Sequence, residues 1–326
     1  MTRGSPSADA SAAASSPLRI GILGAGRTRQ GLGPFLAAAF ERAGAPVVAV
    51  AGRDRAGAER AAAELAARLR HAVEAFPDAA TLAGAVDLLV VAAPVAGHRA
   101  GRDAALAAGV PCLCEKPLVA AADRDAGLAC IAAFRARGVP LFENCQWPFV
   151  LPAFFALHPQ LQGQRVQKVA MGLSPAWPGR TMIEDSLSHV LSLVQGLCDL
   201  PPDCLPVAVH QTDASPLAAA NDVTFRLPLP EGEIEVELQL RLCPQQPRPA
   251  WFAVNGCRVD RQLGADYAIT FAARGRIVPA RDPLHVLVEH CVAAVRSPKP
   301  ADDARAVAIA TRLQIYAEVL AQLASR

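Results

Sequence analysis

The chain lacks the features that direct a protein to a membrane or to nucleic acid. No apolar stretch approaches the roughly 18 uncharged residues that a membrane-spanning helix needs. The formal net charge is only +2, and no basic block is interleaved with aromatic residues, as a nucleic-acid-binding surface would require. We therefore expect a small-molecule ligand, with neither a membrane nor a nucleic acid as partner.

Paired cysteine motifs are absent as well. The nine cysteines include no C-x-x-C pair, and Cys112 and Cys114 lie in one apolar run, where buried thiols are expected rather than a disulfide or a zinc site. No metal site is predicted. Residues 1–17 are small and polar and lack the apolar segment of an export signal, so a disordered tail and a cytoplasmic location are expected.

Lysine is scarce, which draws attention to one of the few that are present. Of 32 Lys and Arg residues only Lys116, Lys168 and Lys299 are lysines. Lys116 follows a short apolar run and stands between Glu115 and Pro117, where a strand would end. Its compact ammonium group and movable pKa suit chemistry that a guanidinium cannot do. The alternative is a solvated turn, since a tripeptide alone is a weak signal.

A glycine-rich turn follows the first apolar run, residues 18–23. Gly24 and Gly26 come directly after this strand, and backbone amides at such a turn favour a pyrophosphate group. Arg29 occupies the place of the third glycine in G-x-G-x-x-G. The loop therefore looks longer than usual, with Arg27 and Arg29 available to reach phosphates, although a lone Gly-x-Gly is often only a turn.

The first half alternates strands with helices, which predicts a doubly wound parallel sheet. We expect strands near 18–23, 46–51, 87–93, 111–115 and 139–143, and helices near 34–43, 55–70, 99–108 and 123–137.

The pattern changes after Pro148. Apolar residues alternate with charged ones from Glu233 to Leu242, as in a strand with one buried and one wet face. Further strands are expected near 167–173, 205–210, 222–227, 250–254 and 267–272, with final helices at 283–295 and 302–324. The predicted class is α/β, with an N-terminal domain over residues 18–146 and a C-terminal α/β domain over 147–326 that contains a largely antiparallel open sheet.

The segment 184–197 has helical periodicity with one apolar stripe. Asp185 and His189, four residues apart, share the opposite face. A carboxylate one turn before a histidine can orient a catalytic base, and it can equally cap a helix whose polar face is solvated.

In their order and spacing, these elements resemble the glucose–fructose oxidoreductase / inositol dehydrogenase family (Gfo/Idh/MocA). The resemblance runs from about Arg19 to the C-terminus. It implies a Rossmann domain that binds NAD(P) and a hydride transfer between the nicotinamide and a hydroxyl or carbonyl carbon of a sugar-, polyol- or cyclitol-like molecule. Lys116, Asp185 and His189 would stand at the reacting carbon. The resemblance also implies a cofactor site at Gly24, Gly26, Arg27, Arg53, Ala93, Pro94, His98, Glu115, Lys116 and Asn144.

Two other functions stay open. A redox-neutral lyase, epimerase or glycosidase would use bound cofactor to oxidise and re-reduce its substrate, and a non-catalytic regulator would use the nucleotide fold as a sensor. The residues around Asp185 and after Asn144 depart from the family's usual pattern, which leaves the substrate undefined. The C-terminal sheet is the expected surface for a homo-oligomer, but its charged face leaves the oligomeric state open.

Two residues carry finer predictions. The second strand is followed by Gly52 and Arg53, so an arginine precedes the first carboxylate, Asp54; this favours NADP(H), with NAD(H) as the alternative. Arg180, in the loop before Asp185, is predicted to contact an anionic or strongly polar part of the substrate.

Overall fold

The computed structural model describes residues 17–26, 31–264, 267–297 and 303–325. Residues 1–16 of the predicted tail lie outside this range. The first half contains strands β1 (Ile20–Leu23), β2 (Val47–Ala51), β3 (Glu74–Phe76), β4 (Leu88–Val91), β5 (Cys112–Cys114) and β6 (Leu141–Glu143). Its helices are α1 (Gly33–Arg42), α2 (Arg55–Leu69), α3 (Ala79–Ala83), α4 (Val95–Ala108) and α5 (Arg124–Ala136).

The six strands form one parallel sheet in the order β3-β2-β1-β4-β5-β6. The order reverses direction between β1 and β4, and ligands of such sheets bind at the carboxyl ends of the strands beside this switch point. All four residues of β4 are buried, as expected for a strand covered by helices on both faces.

The second half is built around an eight-stranded sheet in the order β14-β13-β12-β11-β7-β10-β9-β8. Its strands are β7 (Lys168–Leu173), β8 (Val207–Gln211), β9 (Ala220–Leu229), β10 (Gly232–Arg241), β11 (Ala250–Val254), β12 (Cys257–Leu263), β13 (Ile269–Ala273) and β14 (Arg276–Ala280). Only β7 and β10 pair in parallel; every other pair is antiparallel. The predicted fold class is confirmed.

The faces of this sheet differ as the alternation in β10 predicts. Ile234, Val236, Leu238 and Leu240 are buried. The other face carries charged groups, including Lys168, whose ammonium contacts Glu235 at 2.7 Å and Glu237 at 3.0 Å. Whether this charged face pairs with a second copy of the chain stays a prediction.

Four helices complete the second half: α6 (Leu151–Leu157), α7 (Arg180–Leu197), α8 (Pro283–Arg296) and α9 (Asp303–Ala324). Helix α7 packs on β7 and β10 and against α9. The last two helices return to the first half, because α8 packs on α1 and α9 packs on α5 and β6. The division of the chain after residue 146 therefore marks a change of sheet, and the domain boundary itself stays a prediction.

Five of the described helices and strands have no counterpart in the sequence analysis: β3, α3, α6, β12 and β14. Strand β3 and helix α3 are too short to show a period. In β12, arginine, aspartate and glutamine alternate with the inward-facing residues, so the strand forms no apolar run. Strand β14 is short and follows a tight turn. Helix α4 also begins at Val95 rather than near residue 99. None of the described helices is long and apolar enough to cross a membrane.

A buried ion pair joins the two halves. Glu143, at the end of β6, accepts from Nε of Arg312 at 2.8 Å and from Nη2 at 2.6 Å. Its other carboxylate oxygen accepts from the backbone amide of Leu118 at 3.0 Å, just beyond the cis peptide bond between Lys116 and Pro117. Arg312 also donates to Gln195 of α7. One carboxylate and one guanidinium thus fix the Lys116 loop relative to α7 and α9.

We predict that Glu143→Gln destabilises the protein by about 3–5 kcal/mol, because the amide can still accept from Leu118 but leaves the charge of Arg312 buried without its counterion. The matched control is Glu235→Gln, which removes one partner of a largely exposed pair and should cost about 0–1 kcal/mol. Urea unfolding of both variants makes the comparison. Equal losses in the two variants would contradict the structural role given to Glu143.

Candidate active site

The turn after β1 brings the backbone of Gly24 close to the strand end of β4. Gly24 has φ of +87°, and a Cβ placed on it would lie 2.7 Å from the backbone nitrogen of Ala93. Only glycine satisfies both the left-handed backbone and this close approach. Gly26 follows within the described residues, whereas Arg27 and Arg29 lie outside them. The turn therefore lies at the switch point of the sheet, where a pyrophosphate group would be bound.

Gly33 allows the close helix packing that a glycine at the position of Arg29 would allow in the usual motif. Helix α1 begins at Gly33, and a Cβ there would lie 2.6 Å from both the Cα and the carbonyl oxygen of Ala25. The third glycine of the usual motif allows this approach of helix to strand. A longer loop has moved that role to Gly33, and the Gly33-Pro34 pair at the helix start was the available signal.

The end of β2 presents an exposed arginine next to a carboxylate that caps a helix. The side chain of Arg53 is 96% exposed, and its Nε lies 3.9 Å from the Asp54 carboxylate. Asp54 caps α2 by accepting from the amide of Gly57 at 2.7 Å. One Asp54 oxygen is therefore already bound within the protein, while the Arg53 guanidinium faces solvent beside the cofactor turn.

The loop after β4 contains three of the predicted cofactor residues, and they differ in accessibility. Ala93 is half-buried against Gly24, and Pro94 is exposed at the start of α4. His98 is 1% exposed, and its ring nitrogens lie 3.0 Å from the carbonyl of Pro117 and 2.9 Å from that of Ala93. Burial lowers the pKa of His98. Both ring nitrogens face backbone carbonyls, so His98 joins the loops after β4 and β5. A role for His98 in lining the cofactor stays a prediction.

Glu115 and Asn144 lie side by side at the ends of β5 and β6. Asn144 donates to Glu115 at 2.5 Å and accepts from Gln146 at 2.8 Å. Burial raises the pKa of Glu115, opposed by the hydrogen bond from Asn144 and by the charge of Lys116. These contacts hold the Glu-Lys-Pro loop at the carboxyl edge of the sheet.

Lys116 reaches across from the first half to α7. Its Nζ donates to the backbone carbonyl of Asp185 at 2.5 Å. Lys116 is therefore in direct contact with the helix that carries Asp185 and His189. A shared site requires such a contact.

His189 lies in this contact region with an incomplete set of hydrogen bonds. Its side chain is partly accessible, while Nδ1 is enclosed and has no hydrogen-bond partner among the described residues. Burial lowers the pKa of His189 well below its usual value, and the charges of Lys116 and Arg261 lower it further. The imidazole is therefore neutral near pH 7 and able to accept a proton.

Asp185 makes no hydrogen bond to Nδ1 of His189, which has no partner among the described residues. Its predicted role in orienting the histidine stays a prediction. The charge of Asp185 acts instead on Tyr316 of α9, whose pKa is raised by burial, Glu184 and Asp185. Residues four apart share a helix face, but packing against α9 decides which neighbour the carboxylate meets.

Arg180 is held by contacts within the protein. Its Nε donates to Glu184 at 3.1 Å and its Nη2 donates to the carbonyl of Leu320 at 3.0 Å. This arrangement ties the start of α7 to the end of α9. Contact of Arg180 with the substrate stays a prediction, and these partners give it no support.

Two residues beside His189 were missed. Trp147 packs edge-on to the imidazole, with 6.3 Å between ring centroids. The guanidinium carbon of Arg261, on β12, lies 5.9 Å from the centroid of Trp147. Arg261 shares its sheet face with the fully buried Val259, so the alternation Val259, Arg261, Leu263 was the signal that an arginine points inward.

Comparison with known proteins identifies the first half. Residues 18–144 match the sequence model of GFO_IDH_MocA, described as an oxidoreductase family with an NAD-binding Rossmann fold. Residues 18–144 therefore form a Rossmann domain of the NAD-binding type that this oxidoreductase family has. No match was found among curated proteins.

Solved structures share the whole fold at low sequence identity. UDP-N-acetylglucosamine 3-dehydrogenase from Acidithiobacillus ferrooxidans is 23% identical, with a TM-score of 0.65 over 94% of this chain and 99% of that one. A Gfo/Idh/MocA family oxidoreductase from Vibrio cholerae is 16% identical, with a TM-score of 0.65 over 94% and 98%. An oxidoreductase from Agrobacterium radiobacter, in complex with NAD+, L-tartaric acid and magnesium, is 17% identical, with a TM-score of 0.63 over 94% and 95%. These likenesses extend the fold assignment over both halves.

The depressed pKa of His189 predicts an acid-shifted pH profile for alcohol oxidation. A base must be neutral to accept a proton. Because the pKa of His189 is lowered, kcat/KM should stay constant as the pH falls past 6.5, the ordinary pKa of histidine. The acid limb of the profile should therefore lie below pH 6.5. Arg261→Gln removes a positive charge and should move that limb upward. Arg258→Gln, on the opposite face of β12, should leave it in place. A limb at or above pH 6.5 in the wild type would contradict the lowered pKa of His189.

Proposed function

We propose that this protein is an NAD(P)-dependent dehydrogenase or reductase that transfers a hydride between the nicotinamide and a hydroxyl or carbonyl carbon of a sugar-, polyol- or cyclitol-like molecule. The observation that carries this proposal is the contact of Lys116 with α7 beside the neutral His189. It combines a cation and a proton acceptor at the carboxyl edge of a Rossmann sheet, where such cofactors bind.

The residues at this edge fit a dinucleotide. Gly24 allows the close backbone approach that a pyrophosphate needs, and Gly33 allows the helix behind it to pack closely. The exposed Pro94 and the Glu115–Asn144 pair border the path from that turn to Lys116. When bound, the nicotinamide supplies the hydride acceptor or donor.

The chain's own groups would manage charge and protons. The ammonium of Lys116 would donate to the reacting oxygen and stabilise its negative charge, a role for which a movable point charge is suited. The neutral imidazole of His189 would take the hydroxyl proton during oxidation and return it during reduction. The Trp147 ring and the neighbouring side chains of α7 would limit the access of water to the imidazole.

The first test measures turnover and cofactor affinity on Lys116→Met and His189→Asn. Loss of a positioned acid–base group costs about 10²–10⁴-fold in rate, so turnover should fall on that scale in both variants. Cofactor affinity should change far less, because the glycine turn and Arg53 are untouched. Lys168→Met is the matched control, since it alters a lysine on the charged face of the second sheet.

The outcomes separate the functions that the sequence left open. Net formation of reduced nicotinamide supports the proposal, product without net cofactor turnover indicates a redox-neutral enzyme, and tight cofactor binding without chemistry indicates a sensor. Near wild-type turnover in both active-site variants would contradict the roles given to Lys116 and His189.

We further propose a preference for NADP(H) over NAD(H), since the Arg53 side chain is exposed while Asp54 caps α2. Arginine beside the second strand accommodates the 2′-phosphate. Arg53→Gln should weaken NADP binding about 10- to 100-fold and leave NAD binding almost unchanged, because a charge-assisted hydrogen bond contributes about 1.5–3 kcal/mol. Arg68→Gln, in the last turn of α2, is the control. Tighter binding of NAD than of NADP by the wild type would refute the preference.

A further inference from the structure

Arg261 is an unusual residue for the inner face of a sheet. It pairs with Ala250 of the neighbouring strand β11 and lies on the same face of β12 as the fully buried Val259. Burial lowers the pKa of its guanidinium. Enclosing a charge in this way is unfavourable unless an opposite charge or hydrogen bonds compensate it.

The described residues offer Arg261 little compensation. One nitrogen, Nη2, donates to the backbone carbonyl of Arg248 at 3.0 Å, and the group lies near the face of the Trp147 ring. Within the described part of the chain it forms no ion pair with a carboxylate. By contrast, the other cation of the site, Lys116, lies close enough to Glu115 to affect the pKa of that carboxyl.

The unpaired charge lies on the substrate side of the site. The charges of Arg261 and Lys116 both lower the pKa of His189. The ring of Trp147 lies near both His189 and Arg261. Arg261 belongs to the second half of the chain, away from the glycine turn and Arg53. An anion held by Arg261 would therefore be part of the substrate and would not be a phosphate of the dinucleotide.

We propose that Arg261 is a specificity-determining residue that binds an anionic group, a carboxylate or a phosphate, on the sugar- or polyol-like substrate. The planar guanidinium matches the paired oxygens of either group. With Nη2 fixed on the Arg248 carbonyl, the fork is held in place before substrate arrives, which reduces the entropy lost on binding. This inference rests on the proposed function for the identity of the reacting carbon, but the anion site can be tested without turnover.

The test is calorimetric titration of the full-length, cofactor-free protein with D-glucose, D-glucuronate and D-glucose 6-phosphate. At least one anion should bind 10-fold or more tightly than glucose, and comparison of the two anions distinguishes carboxylate from phosphate recognition. Arg261→Gln should remove that preference, and Arg261→Lys should restore part of it because the charge returns without the fork. Arg258→Gln is the matched control, because Arg258 lies on the opposite face of β12, where its guanidinium packs over the ring of Trp251.

Three results would overturn the proposal: equal affinity for glucose and both anions, no measurable binding of either anion, or the same preference in Arg261→Gln as in the wild type. Thermal unfolding of each variant detects a merely structural role, which would lower Tm without changing the preference. Absence of hydride transfer in a folded protein that still prefers the anion would refute the dehydrogenase proposal and leave the anion site standing.

Discussion

The buried pair of Glu143 and Arg312 is the constraint on which the site depends. The two halves of the chain meet at the carboxyl edge of the first sheet, and a cleft there needs a fixed distance between the Lys116 loop and α7. Glu143 holds the loop through the amide of Leu118, and Arg312 holds α7 through Gln195. Because both charges are almost wholly enclosed, with side chains 4% and 9% exposed, neither can be removed without leaving the other unpaired.

With this distance fixed, the electrostatics of the cleft follow from burial. Lys116 and Arg261 approach one imidazole from different halves of the chain, and their charges, added to desolvation, keep that imidazole neutral. A neutral base beside two cations suits a reaction in which an alcohol loses a proton and its oxygen gains negative charge. The same arrangement leaves Arg261 without a carboxylate partner in the described part of the chain.

The sequence predicted the parts of this design that depend on local pattern. Apolar runs followed by glycine gave the parallel sheet and its cofactor turn, and the scarcity of lysine drew attention to Lys116. It could not place Arg312 opposite Glu143, since residues 169 positions apart carry no shared period. Asp185 shows the same limit, because spacing puts it on the face of His189 while packing against α9 gives its carboxylate other neighbours. His98 and Arg180 were chosen by motif and loop position, and both side chains bond to backbone carbonyls that only the tertiary fold brings near. Arg261 was missed because β12 carries charged residues on both faces, so no strand was predicted there.

A crystal structure of the protein with bound nicotinamide cofactor tests the central claim most directly. The account predicts that the pyrophosphate lies on the turn at Gly24, and that C4 of the nicotinamide faces a space bounded by Lys116 and His189. A cofactor bound with its nicotinamide away from Lys116 and His189, or no electron density for the cofactor at saturating concentration, would contradict it.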